Sequence, residues 1–237
     1  MEDIELKLEN ADKVEIIKNL LSGFVITDDK LAKLKTTFEE ELEKGLKFSL
    51  EGSSMQMENT YVPELTNGQE EGKYLSLDLG GTNFRVMLLE MAKGKIIKEI
   101  VDYYSVQEET RLGPGEKLFD FLASCIGDFV HKQGLDGQPM PLGFTFSFPM
   151  KQQGMDVGIL VAWTKSFNAS NTVGQDAVKM LNEAIERHGN LNVKVVAILN
   201  DATGTLVKGA YDDPQTGIGL ILGTGMIHYK DLFFRFF

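Results

Sequence analysis

A chain of 237 residues, 43% hydrophobic and 25% charged, has the composition of a globular protein with a substantial core, in one large domain or two smaller lobes. Its net charge of −11 repels a phosphate backbone and argues against nucleic acid as a partner. A single cysteine, Cys125, rules out internal disulfides and a thiol metal site and fits a reducing compartment.

The acidic start, Met1-Glu2-Asp3, resembles neither a signal peptide nor a basic presequence, and no apolar run reaches membrane-spanning length. A cytoplasmic protein with no membrane anchor is therefore expected. Residues 1–50 read as helical and charged. Val14, Ile17, Lys18 and Leu21 recur at helical spacing; Thr27 before Asp28 and Asp29 marks a helix start. Leu31, Leu34, Phe38, Leu42 and Leu46 then form one apolar stripe with Lys and Glu opposite. Residues 49–72, rich in Gly, Ser, Asn and Glu with Pro63, form a connecting loop.

The stretch 73–90 organises the rest of the chain. Tyr74, Leu75, Leu77 and Leu79 suit a buried strand that stops at Gly80-Gly81-Thr82-Asn83, and Phe84, Val86, Met87, Leu88 and Leu89 suit a second one. Two strands joined across a glycine pair predict a hairpin. Asp78 near its tip is the odd residue, because a carboxylate ending a buried strand needs a proton, a cation or hydrogen-bond donors. Gly80 and Gly81 permit positive φ and close approach of backbone N–H groups to an anion; Thr82 adds a hydroxyl and Arg85 a positive charge. The set suits a Mg²⁺–phosphate cradle, and it also suits an ordinary hairpin turn.

Further strands are expected at 95–104, 141–149, 193–199 and 218–222, with another apolar run at 158–163. Leu118, Phe119, Leu122, Ile126, Phe129 and Val130 trace one amphipathic helix; Val173, Ala177, Met180, Leu181, Ala184 and Ile185 trace another over 171–187. A short helix is expected from Asp201 to Ala210. Strands alternating with helices indicate an α/β fold around a central sheet. Asn200-Asp201 follows a strand and opens a helix, where ligands bind in open α/β sheets. Asp201 there is placed either to act as a general base toward a hydroxyl or, like Asn200, to cap the helix. Ser147, Thr164 and Lys165 could hydrogen-bond a polyhydroxylated ligand, while the alternation of Phe144, Phe146 and Phe148 reads as core. Gly223-Thr224-Gly225 is a second glycine–threonine turn at a strand end.

Taken in order, residues 77–86, 142–149, Trp163-Thr164-Lys165 with Phe167, 199–201 with Thr203 and Thr205, and 222–225 resemble the eukaryotic hexokinases of the sugar kinase and actin superfamily. The resemblance implies an actin-like (ribonuclease H-like) α/β fold: N-terminal helices and a connecting loop (1–72), the small lobe (73–200), and the first strands of the large lobe with a divergent tail (201–237). It implies transfer of the γ-phosphoryl of Mg-ATP to the 6-hydroxyl of glucose or a related hexose, with Asp201 as base. The sugar would be held by Ser147, Phe148, Pro149, Thr164, Lys165, Asn200 and Asp201. Asp78, Gly80, Gly81, Thr82, Asn83 and Arg85 would line the phosphate side, with Thr224 and Gly225 opposite and Asp78 near the Mg²⁺.

The pattern breaks after Gly225. The family continues into further sugar-binding residues and the adenine pocket; this chain reads Met226-Ile227-His228-Tyr229-Lys230-Asp231 and an aromatic tail of Phe233, Phe234, Phe236 and Phe237. The expectation is a shortened hexokinase whose apolar stripe and tail lack their usual cover, prone to self-association and weak or inactive as a kinase. A non-catalytic sugar-binding or interaction module is the alternative. An actin-like ATPase shares the Asp-Leu-Gly-Gly-Thr loop but leaves Ser147, Thr164 and Lys165 unexplained.

Overall fold

The computed structural model describes residues 11–48, 51–55, 57–81, 83–222 and 226–230, excepting the side chains of 11, 12, 222 and 226–230. The chain falls into two compact units, Met1–Glu58 and Asn59–Phe237.

In the first unit, helix α1 (Ala11–Leu21) runs through a short 3-10 turn at Ser22–Phe24 and is followed by α2 (Asp28–Phe48). Thr27 caps α2 as the sequence suggests, its Oγ1 accepting from the Lys30 N–H at 3.3 Å, and Asp28 and Asp29 complement the positive end of the helix dipole. The buried position of α2 is Gly45, where a Cβ would fall 1.6 Å from the Met55 carbonyl oxygen. Glycine is required there because the returning segment 51–55 crosses directly over the helix backbone. Glu41 fastens that crossing, accepting from Lys44 Nζ and Ser53 Oγ at 2.7 Å each; these bonds hold its carboxyl below the ordinary range. Leu31 and Leu34 of the apolar stripe are 54% and 60% exposed.

The second unit is built on a five-stranded sheet. Its strands are β1 (Gly72–Leu79), β2 (Asn83–Ala92), β3 (Lys95–Ser105), β4 (Met140–Phe146) and β7 (Val193–Leu199), in the spatial order β3-β2-β1-β4-β7. The expected hairpin is present: β1 and β2 pair antiparallel from Gly72↔Met91 to Leu79↔Phe84. β3 adds antiparallel to β2, whereas β4 and β7 add parallel on the other side of β1. Alternation puts Leu75, Leu77 and Leu79 of β1, Phe84, Val86 and Leu88 of β2 and Leu142, Phe144 and Phe146 of β4 into one core. The apolar face of α4 (Gly115–Lys132) joins that core through Leu118, Phe119, Leu122, Ile126 and Phe129, and α5 (Ala177–His188) through Leu181 and Ile185.

Several boundaries differ from the sequence reading for identifiable reasons. The strand expected at 141–149 ends at Phe146, and a hairpin follows, the polar β5 (Met150–Gly154) with the apolar β6 (Val157–Leu160), which overlaps the apolar run read at 158–163. Lys151-Gln152-Gln153 lacks the apolar alternation that signals a strand; its order comes from tertiary bonds. Gln152 Nε2 donates to the Ile198 carbonyl and the Ile198 N–H donates to the Met155 carbonyl, both at 2.8 Å. Helix α5 starts at Ala177 rather than near Asn171, because Asp176 caps it by accepting from the Val178 N–H at 3.0 Å. Val173, assigned to the buried face from its spacing, lies in the preceding turns and is 56% exposed. Two more helices complete the described α elements, the short α3 (Glu108–Leu112) and α6 (Asp201–Asp212), the latter packing against β8 (Ile218–Leu222), which pairs with β9 (Met226–Lys230).

Candidate active site

Because β1, β4 and β7 run parallel, their carboxyl ends, at Leu79, Phe146 and Leu199, emerge on one edge of the sheet. Ligands of open α/β sheets bind outside such an edge, and the predicted polar residues come directly after each of the three strands. After β1 comes Gly80-Gly81, after β4 Ser147, and after β7 Asn200-Asp201.

The first two loops are stitched together. The Ser147 N–H donates to the Leu79 carbonyl at 3.1 Å, and a Cβ at Gly80 would stand 3.1 Å from Ser147 Oγ and 3.2 Å from its Cβ. Neither Gly80 nor Gly81 takes a positive φ, so the conformational argument for that pair does not hold. Gly80 is needed for close approach to the buried Ser147, and Gly81 faces open space where its side chain would be. Asp78 and Arg85 are directly opposite in the β1–β2 register and form an ion pair. The guanidinium supplies the partner that a carboxylate at the end of a buried strand requires. Asn83 is exposed beside them. Thr82 on this side, and Thr224 and Gly225 of the second glycine turn, lie outside the described residues.

On the β7 side both members of the Asn200-Asp201 pair serve the start of α6. Asn200 Oδ1 accepts from the Ala202 N–H at 3.0 Å and caps α6. Asp201 Oδ1 accepts from the same N–H at 2.9 Å, while its Oδ2 lies 3.9 Å from Lys165 Nζ. The cap therefore occupies one carboxylate oxygen and leaves the other beside a cation. Residues far apart in the chain are brought together at the strand edge.

Lys165 reaches that position from a turn under backbone strain. Lys165 and Ser166 both adopt left-handed φ, 54° and 67°, a conformation that costs non-glycine residues on the order of 1–3 kcal/mol each and persists where the surroundings impose it. The surroundings are aromatic. Trp163 and Phe167 stack at 5.5 Å, and Phe148 meets both edge-on, at 4.7 and 5.1 Å. The indole N–H of Trp163 donates to Thr172 Oγ1 at 2.7 Å and to the Ala169 carbonyl at 3.1 Å. Phe148 is 2% exposed, so its ring lies beneath the turn, with Lys165 Nζ 6.0 Å from its centroid, and it offers no ring face to a ligand. Thr164 and Pro149 are exposed. The turn also leans on Arg111, at the end of α3, whose Nη1 donates to the Ser166 carbonyl at 2.9 Å and Nε to the Val106 carbonyl at 3.3 Å. Arg111 escapes a reading of the sequence because its partners are backbone carbonyls, which no residue pattern marks.

Among the described residues no group of three or more His, Cys, Asp or Glu side chains could hold a metal ion. The donor set fits a Mg²⁺ that arrives on phosphates, since such an ion keeps several waters and takes only one or two carboxylates. Asp78, paired with Arg85, is the carboxylate at the tip of the β1–β2 hairpin.

Both the sequence and the fold are matched by known proteins. The hexokinase family model matches residues 16–211, and the chain belongs to the hexokinase family. Mouse hexokinase-3 is 48% identical over 210 residues, covering 89% of this chain and 22% of that protein. Human hexokinase-1 is 42% identical over 220 residues, covering 91% and 24%. The structure of a hexokinase from Schistosoma mansoni complexed with glucose superposes with a TM-score of 0.81 at 36% identity, over 92% of this chain and 50% of that one. A second hexokinase crystal structure gives the same TM-score at 31% identity, over 92% and 53%. The chain thus spans under a quarter of these curated relatives and about half of the solved structures. Among the described residues no helix is long and apolar enough to cross a membrane.

Proposed function

We propose that these residues bind a hexose at the carboxyl edge of the sheet and contribute the base and the small-lobe phosphate contacts of an ATP-dependent hexose 6-phosphotransfer, in the cytoplasm. The observation that carries the reading is the meeting of Lys165 and Asp201 at 3.9 Å next to Asn200, at the sheet edge where Ser147 follows β4. A carboxylate with one oxygen fixed by a helix N–H and the other beside a lysine is oriented to accept the proton of a bound hydroxyl. Lys165, Thr164, Asn200 and Ser147 supply donors and acceptors for the remaining hydroxyls, and the aromatic layer under Lys165 fixes the height at which they present themselves. Across the edge, Asp78 and Arg85 face the phosphate side with the half-buried Gly81. Mg²⁺ bound to ATP neutralises phosphate charge and is a substrate component. Phosphoryl transfer depends chiefly on positioning and charge stabilisation, and this edge supplies the positioning of the accepting hydroxyl.

The test is a coupled glucose-6-phosphate assay on the 237-residue chain beside Asp201→Asn, which keeps Oδ1 for the Ala202 N–H and removes the basic oxygen. Turnover in the parent chain, reduced by a factor of 10² or more in the variant, on the scale of a general base (roughly 10²–10⁴), supports the reading. Equal rates sink it. A second reading, a hexose-binding module without turnover, is favoured by the 50% coverage of the glucose-complexed structure; glucose binding by calorimetry with no product formed would establish it.

A further inference from the structure

We infer that Arg111 is a positioning residue that clamps the strained turn at Lys165-Ser166, and so sets where Lys165 stands relative to Asp201; its functional half rests on the hexose-site reading above. Two consecutive non-glycine residues with left-handed φ do not hold that conformation unaided. Within the turn one backbone bond runs from the Phe167 N–H to the Thr164 carbonyl, at 3.1 Å. From outside, the guanidinium donates to the carbonyl of Ser166 itself at 2.9 Å, anchors to Val106 at 3.3 Å and lies 5.9 Å from the Phe167 ring centroid. The Arg111 carbonyl accepts from the Asn168 N–H at 3.0 Å, and the pairing continues through the Ser170 N–H to the Gly113 carbonyl and the Gly115 N–H to the Ser170 carbonyl. The segment from α3 to the start of α4 thus runs beside the 166–170 segment as a splint, and the Arg111 side chain carries it into the turn. A planar fork with fixed donors suits two carbonyls in different directions.

The experiment compares the 237-residue protein with Arg111→Met and Arg111→Ala. Methionine keeps an unbranched stem over Phe167 and removes the donors with their charge, so it separates the polar contacts from packing. Two readouts are taken. Limited trypsinolysis after Lys165 needs the turn to open into an extended backbone and requires no ligand. Glucose affinity is followed through Trp163, the sole tryptophan, which stacks on Phe167. Cleavage after Lys165 should rise roughly 10-fold in Arg111→Met, on the scale of one hydrogen bond to a charged group. Glucose affinity should fall while the far-ultraviolet spectrum and the melt stay near those of the parent. Unchanged cleavage in both variants overturns the clamp. Faster cleavage with unchanged glucose affinity overturns the positioning role and leaves the hexose site standing. Faster cleavage of the variants, with a parent chain that binds no glucose, upholds the clamp and sinks the hexose reading instead.

Discussion

The platform under the turn can be tested through Thr172, which is 1% exposed. Its Oγ1 accepts from Trp163 Nε1 and donates to the Ala169 carbonyl, each at 2.7 Å, and its Cγ2 fills the space that a Cβ on Gly115 would invade at 2.0 Å. Thr172→Val keeps the methyl and the volume and removes both hydrogen bonds. The two former partners still meet each other, since Trp163 Nε1 lies 3.1 Å from the Ala169 carbonyl, so no buried polar group is orphaned. The loss is then two ordinary bonds at about 0.5–1.5 kcal/mol each, or about 1–3 kcal/mol, without the added penalty of an unsatisfied group. For a unit of this size that lowers Tm by about 2–4 °C per kcal/mol. The assay is a thermal melt read by Trp163 fluorescence, which reports on the second unit alone. Thr172→Ser retains both bonds and loses the methyl beside Gly115, so it isolates packing. A valine variant that melts with the parent would refute the reasoning, as would a serine variant that loses stability while valine does not.

Two further outcomes are expected from the same packing. Cys125 is 7% exposed and burial pushes its thiol up to about 11, so it is protonated as well as covered at neutral pH. Ellman's reagent should leave the native protein unmodified and titrate one thiol after denaturation; stoichiometric labelling of the native chain would contradict the burial. The exposed Leu31 and Leu34 of α2 are expected to drive self-association, which Leu34→Lys weakens. Sedimentation velocity decides it, and a parent chain that is monomeric at every concentration with a sharp cooperative melt removes the premise.

The parts of the fold legible in the sequence are those governed by a regular period. The hairpin of β1 and β2, the strand β7 and the faces of α4 and α5 all carry alternating or helical apolar spacing that matches the burial observed. The apolar run at 158–163 marks β6, but its partner β5 is invisible to such a reading because Gln152 is ordered by the Ile198 carbonyl rather than by an apolar face. Periodicity starts α5 too early because Val173 lies at a spacing that continues the helical stripe, whereas capping by Asp176 decides where the helix begins. Gly80 is the right glycine for a different reason from the one its sequence context suggests. Its φ is ordinary, and its neighbour Ser147 excludes a side chain.

The candidate site divides in the same way. Asn200 and Asp201 can be placed from sequence because they lie just past a strand whose period is clear, whereas Ser147 falls inside the strand expected at 141–149 and becomes an edge residue because β4 stops at Phe146. Lys165 cannot be placed that way, since no strand ends at it: β6 stops at Leu160, and the four residues after it belong to no regular element. Its position is set by contacts from elsewhere, the indole bonds of Trp163, the ring of Phe148 beneath it and the guanidinium of Arg111 beside it. Local preference and tertiary structure disagree at Lys165 and Ser166, where two L-residues occupy left-handed φ, while along the sheet they agree almost throughout. Departures of that kind concentrate where a side chain must be held in a place its own backbone would not choose. That this departure brings a lysine to within 3.9 Å of the strand-edge aspartate is the physical reason to regard the turn and its supports as part of the site.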